Sequence, residues 1–142
     1  MLVRLLYASR AAQPPGAKLV AGVLAECQKH NPAHGITGIL CYSDKVFLQV
    51  LEGGRDEVCE TFNAIARDPR HTQVRLLSFE EIHERRFGGW TMGQVNADKV
   101  NPSLLLKYAE KAELDPFALS GRASLSLLEE LAATASVLGR SV

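Results

Sequence analysis

Two short apolar runs, 36–42 and 46–51, are separated only by Ser43-Asp44-Lys45. Each is long enough for a strand and too short for a buried helix, so the pair predicts an antiparallel hairpin. A hairpin at this point demands further strands and a covering layer, because two strands alone are marginal in water. The flanking sequence supplies both. Val3 to Ala8 is another strand-length apolar run. From Ala17, the positions Leu19, Val20, Val23, Leu24 and Cys27 recur at helical spacing. Asn31-Pro32 is expected to end that helix, since the residue before proline avoids helical geometry.

Gly53-Gly54 then breaks the pattern. Asp56 to Ala66 reads as a second helix, with Val58, Cys59, Phe62 and Ile65 on one face and Pro69 as its stop. Gln73 to Ile82 reads as a fourth strand and Trp90 to Val95 as a fifth. The order strand, helix, strand, strand, helix, strand is the ferredoxin-like plan. The expected fold class is therefore α+β: a five-stranded sheet with two helices on one face. Asn101-Pro102 has the form of a helix start. Leu125, Leu128, Leu131, Ala132, Ala135 and Leu138 form an amphipathic stripe. These C-terminal helices are expected to pack on the other sheet face or on another subunit. The division expected is residues 1–97 as the main domain and 98–142 as a helical cap of the same compact unit.

Composition narrows the function. The 142 residues carry 16 Lys and Arg against 16 Asp and Glu, so no surplus of positive charge attracts nucleic acid or anionic lipid. No apolar stretch approaches the roughly 20 residues of a membrane span. The three cysteines, Cys27, Cys41 and Cys59, form no CxxC pair and suit reduced thiols. A soluble, cytoplasmic protein is expected. Among the histidines, His30 and His34 are four apart, but Pro32 between them is expected to break the helix that would align them, so no metal site is expected.

Strand alternation raises one question. Leu5 and Tyr7 share a face of the first strand, and Phe47, Gln49 and Leu51 share a face of the third. If that face is buried, the Gln49 amide needs a polar partner, because each unmet group costs about 1–3 kcal/mol. Taken singly, Tyr7, Asn31, Trp90 and Met92 are ordinary core or helix-end residues.

Taken together, five separated segments resemble the BLUF family of flavin-dependent blue-light sensors. They are Leu6-Tyr-Ala-Ser-Arg10, Gly35-Ile-Thr-Gly-Ile-Leu-Cys-Tyr42, Phe47-Leu-Gln-Val-Leu-Glu-Gly53, Asp68-Pro-Arg-His71 and Arg86-Phe-Gly-Gly-Trp-Thr-Met-Gly93. The resemblance covers roughly residues 1–95. It implies a photoreceptor rather than an enzyme, with FAD as the usual cofactor and FMN or riboflavin as alternatives. Tyr7 would be the photoactive tyrosine and Gln49 the switching glutamine. Asn31 would bond the polar edge of the flavin ring. His30 would flank the ring, and Ile36 or Ile39 would form its apolar wall. Arg70 and His71 would approach the ribityl-phosphate end. Trp90 and Met92 would relay the signal.

The implied chemistry is electron transfer from Tyr7, proton transfer through Gln49, and return of both to a rearranged network. Output would pass to a separate protein effector, and the apolar tail is compatible with homo-oligomers. Two other readings of the same fold stand beside this one. An acylphosphatase-like hydrolase would use Arg10, but Pro14 and Pro15 remove amide donors from its anion loop. A light-independent regulatory module would yield colourless protein.

Overall fold

The computed structural model describes residues 1–134 and 137–140. The strands are β1 (Leu2–Ala11), β2 (Thr37–Tyr42), β3 (Val46–Gly54), β4 (His71–Ile82), β5 (Trp90–Asn96) and β6 (Leu138–Arg140). The helices are α1 (Ala17–Ala33), α2 (Arg55–Arg67), α3 (Pro102–Tyr108) and α4 (Gly121–Ala133), with a 3-10 turn at Ala97–Lys99. The sheet order is β4-β1-β3-β2-β5-β6. β2 runs parallel to β5, and every other neighbouring pair is antiparallel.

The β2–β3 hairpin forms around Ser43, whose Oγ accepts the amides of Lys45 and Val46. Gly38 sits at φ 154, and a Cβ there would lie 1.9 Å from the Val50 carbonyl oxygen, so only glycine lets β2 and β3 approach this closely. One sheet face packs on α1 and α2 through Leu5, Tyr7, Leu40, Phe47, Leu51 and Met92, against Val20, Val23, Cys27 and Val58. The opposite face packs on α3 and α4 through Leu6, Ile39, Cys41, Leu48, Val50 and Val95, against Leu105, Leu127, Leu128 and Leu131. Burying each such side chain contributes about 1.5–3 kcal/mol.

The helix starts follow their capping residues. Asn101 accepts the Ser103 amide ahead of Pro102, and the Ser120 hydroxyl accepts the Ala123 amide. No helix among the described residues is long and apolar enough to cross a membrane.

Three expectations need correcting. First, α1 does not stop at Asn31-Pro32. Pro32 lies inside its last turn, which closes through His34 N–H to the Asn31 carbonyl and Gly35 N–H to the Pro32 carbonyl. Gly35 at φ 67 then ends the helix. The continued turn stacks the His30 and His34 rings at 4.2 Å. Second, the sheet has six strands rather than five. Third, the helical stripe stops at Ala133, and Leu138 lies in β6 beside β5, next to Gly139 at φ 87. A left-handed residue cannot continue a helix, and the open edge of β5 supplies hydrogen-bonding partners for a strand instead. Ala135 lies outside the described residues.

Candidate functional site

The β1–β3 register sets Tyr7 directly opposite Gln49, both on the α1/α2 face. Cross-strand partners stand close enough for their side chains to meet. The Tyr7 hydroxyl donates to Gln49 Oε1 at 2.5 Å, and neither residue exceeds 1% exposure. Burial pushes the Tyr7 phenol well above its ordinary pKa. It is therefore a neutral, fully protonated donor at physiological pH.

The other end of the amide is held more softly. Gln49 Nε2 donates to Met92 Sδ at 3.3 Å and to Cys27 Sγ at 3.6 Å. Sulfur is a weak acceptor. Turning the amide through half a turn would present its NH2 group to the phenol oxygen, which can accept. Its carbonyl would then face the sulfurs, of which only the Cys27 thiol can donate. The two arrangements thus differ by single hydrogen bonds, each worth about 0.5–1.5 kcal/mol net.

Asn31 lies one helical turn after Cys27, on the buried stripe Val20, Val23, Cys27, Asn31. It is 2% exposed, and its Nδ2 has no hydrogen-bond partner among the described residues. A buried amide N–H without a partner costs about 1–3 kcal/mol, so this position suits a bound acceptor. Asn31 lines a cleft between α1 and α2, together with Glu26, Cys27, His30, Thr61, Ala64, Ile65 and Asp68. The cleft measures about 90 Å³, and so marks where one polar ring edge enters rather than the outline of a whole ring. An unmet amide, a switchable amide and flanking aliphatic carbon make a donor set that fits a flat heterocycle with a polar edge.

The remaining candidates divide. His30 faces the cleft, its Nε2 3.0 Å from Thr61 Oγ1. Ile36 is fully buried on the Tyr7 side. Ile39 is not; it belongs to the core under α3 and α4. The two isoleucines are an odd number of residues apart along extended chain, so they cannot line one wall, and Ile39 is corrected to the opposite face. Arg70 lies at the rim, paired to Asp68 at 2.6 Å and close to Gly22 of α1. Its guanidinium holds the Asp68 carboxyl below the usual carboxylate range.

His71 turns inward from Arg70. Its Nδ1 is 2.8 Å from Ser9 Oγ, and its ring lies 4.9 Å from Phe47 and 6.4 Å from Tyr7. Burial pushes its pKa down to about 4. Its ring thus lies inside, against Phe47 and Tyr7, and not at the rim beside Arg70.

Trp90 and Met92 part company: Met92 meets Gln49, whereas Trp90 packs in the core under α4. Arg10, the arginine of the hydrolase alternative, donates to Gln73 at 2.6 Å and covers the Phe117 ring at 4.1 Å. No group of three or more metal-ligating side chains occurs among the described residues.

Cys27 escaped the sequence reading as a site residue because it fitted the apolar helix stripe. Its signal was its place one turn before Asn31 on that same stripe. Phe62, with its ring 5.7 Å from Tyr7, escaped for the same reason.

Comparison with known proteins identifies the family. Residues 2–93 match the family described as BLUF, sensors of blue-light using FAD. The chain belongs to the BLUF family of blue-light sensors. It is 33% identical over 92 residues to the photoactivated adenylate cyclase subunit beta of Euglena longa, which covers 64% of this chain and 11% of that protein. It is 32% identical over 88 residues to the blue light- and temperature-regulated antirepressor BluF of Escherichia coli strain K12, covering 62% of this chain and 22% of that one. The chain therefore spans between a tenth and a quarter of the length of these curated relatives.

Two solved structures match along nearly their whole length. The dark-state structure of the BLUF protein BlrB superposes with a TM-score of 0.79 at 30% identity, over 94% of this chain and 96% of that one. The photo-activated state of BlsA gives 0.80 at 32% identity, over 92% and 94%.

Proposed function

We propose that this protein is a flavin-loaded photoreceptor whose switch is the Tyr7–Gln49 pair and whose output passes to a separate protein. The observation that carries the reading is the buried phenol–amide pair beside a cleft that holds an unsatisfied asparagine amide. FAD is the proposed cofactor, as the family description names it. Asn31 and Gln49 would bond the polar edge of its ring, His30 and Ile36 would flank it, and Arg70 would stand at the rim. Bound flavin supplies an excited state able to accept an electron.

The chain's own residues do the rest. Tyr7 is the donor of suitable type and releases its phenolic proton along its bond to Gln49. Gln49 exchanges donor for acceptor by rotation or tautomerisation. Met92 and Cys27, which touch the Gln49 amide, register the change. A free-energy difference of about 1 kcal/mol shifts populations roughly fivefold, enough to bias an element already near balance. β5, which carries Met92, is that element. The sensing unit would be residues 1–97, with 98–142 as cap and output surface. Because the matching family is described as sensors, a sensor rather than an enzyme is proposed, in the cytoplasm and as a homo-oligomer.

An absorption spectrum before and after blue light tests this. The purified protein should be yellow and show a small reversible red shift. Gln49→Leu should remain yellow and lose the shift. Tyr7→Phe should also block it. A colourless chain that takes up no flavin, or a normal shift in Gln49→Leu, would overturn the reading. Chromatography of the flavin released on denaturation separates FAD from FMN and riboflavin.

A further inference from the structure

Trp90 and Met92 are two residues apart on one strand and should share a face. They do not. Met92 meets Gln49 on the α1/α2 side, while Trp90 packs among Leu127, Leu128 and Leu131 on the other side. From Met92 onward alternation is regular, with Val95 on the Trp90 side. The break therefore falls where the chain enters β5, and the β5–β6 pairing is irregular over the same stretch.

On the sheet side, the entry is anchored by a buried carboxylate. Glu52 on β3 is fully buried, and its carboxylate accepts the amides of Phe87 at 2.7 Å and Arg86 at 3.1 Å. The same carboxylate accepts Arg4 Nε from β1 at 2.7 Å. Arg85 adds a bond from its guanidinium to Thr37 Oγ1 at 2.9 Å. Two residues beyond Phe87 the chain turns, and Trp90 N–H closes the turn on the Phe87 carbonyl at 3.2 Å. Gly93 completes the arrangement, since a Cβ there would lie 2.8 Å from the Trp90 ring. The missing side chain leaves the indole its place on the far face.

We propose that Glu52 is a positioning residue for the switch: by gripping the two amides that precede the Phe87–Trp90 turn, it fixes the face on which β5 begins, so that Met92 rather than Trp90 meets Gln49. A carboxylate suits this task because it only accepts, and here it faces one guanidinium and two amide donors. Glutamine at this position would keep one acceptor and turn an NH2 group against donors. With the grip lost, regular alternation would bring Trp90 onto the Gln49 face beside Met92, where the larger indole competes with the thioether for the space at the amide. This inference rests on the reading of Gln49 as the switch.

The sequence contains two methionines, Met1 and Met92, so methyl-labelled methionine gives an assignable NMR signal from Met92. In the flavin-bound wild type, the Met92 methyl should show contacts to Gln49 in darkness and shift on illumination. In Glu52→Gln the population with Met92 at Gln49 should fall about tenfold, as expected for loss of a charge-assisted hydrogen bond. Trp90 indole contacts to Tyr7 should replace it. The red shift itself should persist, because the Tyr7–Gln49 bond is untouched. If Glu52→Gln does not fold, Glu52→Asp keeps the charge and shortens the reach, and should show the same exchange in part. Wild-type Met92 contacts to Gln49, in darkness and in light, in whichever variant folds would overturn the proposal. A wild-type protein without any red shift would instead defeat the switch reading, while the dark Met92 contacts would still test Glu52.

Discussion

The two faces of the sheet are built from the same strands, yet they differ in kind. The α3/α4 face is mostly apolar, with Leu127, Leu128 and Leu131 at or below 1% exposure, and its buried charges, Arg4 and Glu52, are paired with each other. The α1/α2 face buries Tyr7, Gln49, Asn31 and His71 among its apolar residues. Burying polar groups costs free energy unless each is paired. The first face therefore supplies stability and the second holds chemistry, and the strands between them couple the two.

That contrast can be broken, or made sharper, by substitution. The largest expected effect is Leu128→Ala, which should cost about 2–5 kcal/mol in urea unfolding. Flavin absorbance and red shift should be unchanged in the fraction that stays folded. A loss of photochemistry at full stability would erase the division of labour between the faces.

Next comes pH. Burial holds the His71 imidazole down to about 4 in the fold, whereas an unfolded histidine titrates near 6.5. Above pH 6.5 both states are neutral and the full stability is present. As pH falls from 6.5 towards 4, the unfolded chain binds a proton that the fold refuses. Stability should drop by about 2–3 kcal/mol across that window. Urea midpoints at pH 7 and 4.5 measure the drop, and His71→Gln should flatten it.

Gln49→Leu should cost about 1–3 kcal/mol, because the Tyr7 hydroxyl loses its acceptor. Its photochemical effect should be total all the same, an inversion of the Leu128→Ala pattern that equilibrium unfolding and difference spectra on one sample would reveal. The smallest effect is expected at the rim, where His34 Nδ1 meets Glu57 at 2.8 Å between side chains about half exposed. Glu57→Gln should change stability by less than about 1 kcal/mol. A larger change would mean that this α1–α2 contact carries more than a surface pair.

Much of this was legible in the residues. The hairpin, the two helices and the fourth strand follow from apolar period and turn chemistry, which are local. Alternation placed Tyr7 with Leu5 and Gln49 with Phe47 and Leu51, the β1–β3 register then set the two opposite each other, and the Asn101-Pro102 cap marked the start of α3. The misses differ in cause. Pro32 stays within α1 because the last turn closes on its own local bonds, whereas Ile39 under α4 and Leu138 in β6 were decided by neighbours distant in sequence. Local signals give spacing, but they do not say which partner will satisfy a backbone group or which layer will cover a face.

The sequence by itself determined the strand and helix periods, the glycine at Gly38, and the unusual glutamine among apolar neighbours. Only the tertiary structure decided that the Gln49 amide would be shared between a phenol and two sulfurs, and that Met92 and Trp90 would face apart. The reason is physical. Periodicity is written into adjacent residues, whereas hydrogen-bond pairing in a dry interior depends on which distant groups the register brings within about 3 Å.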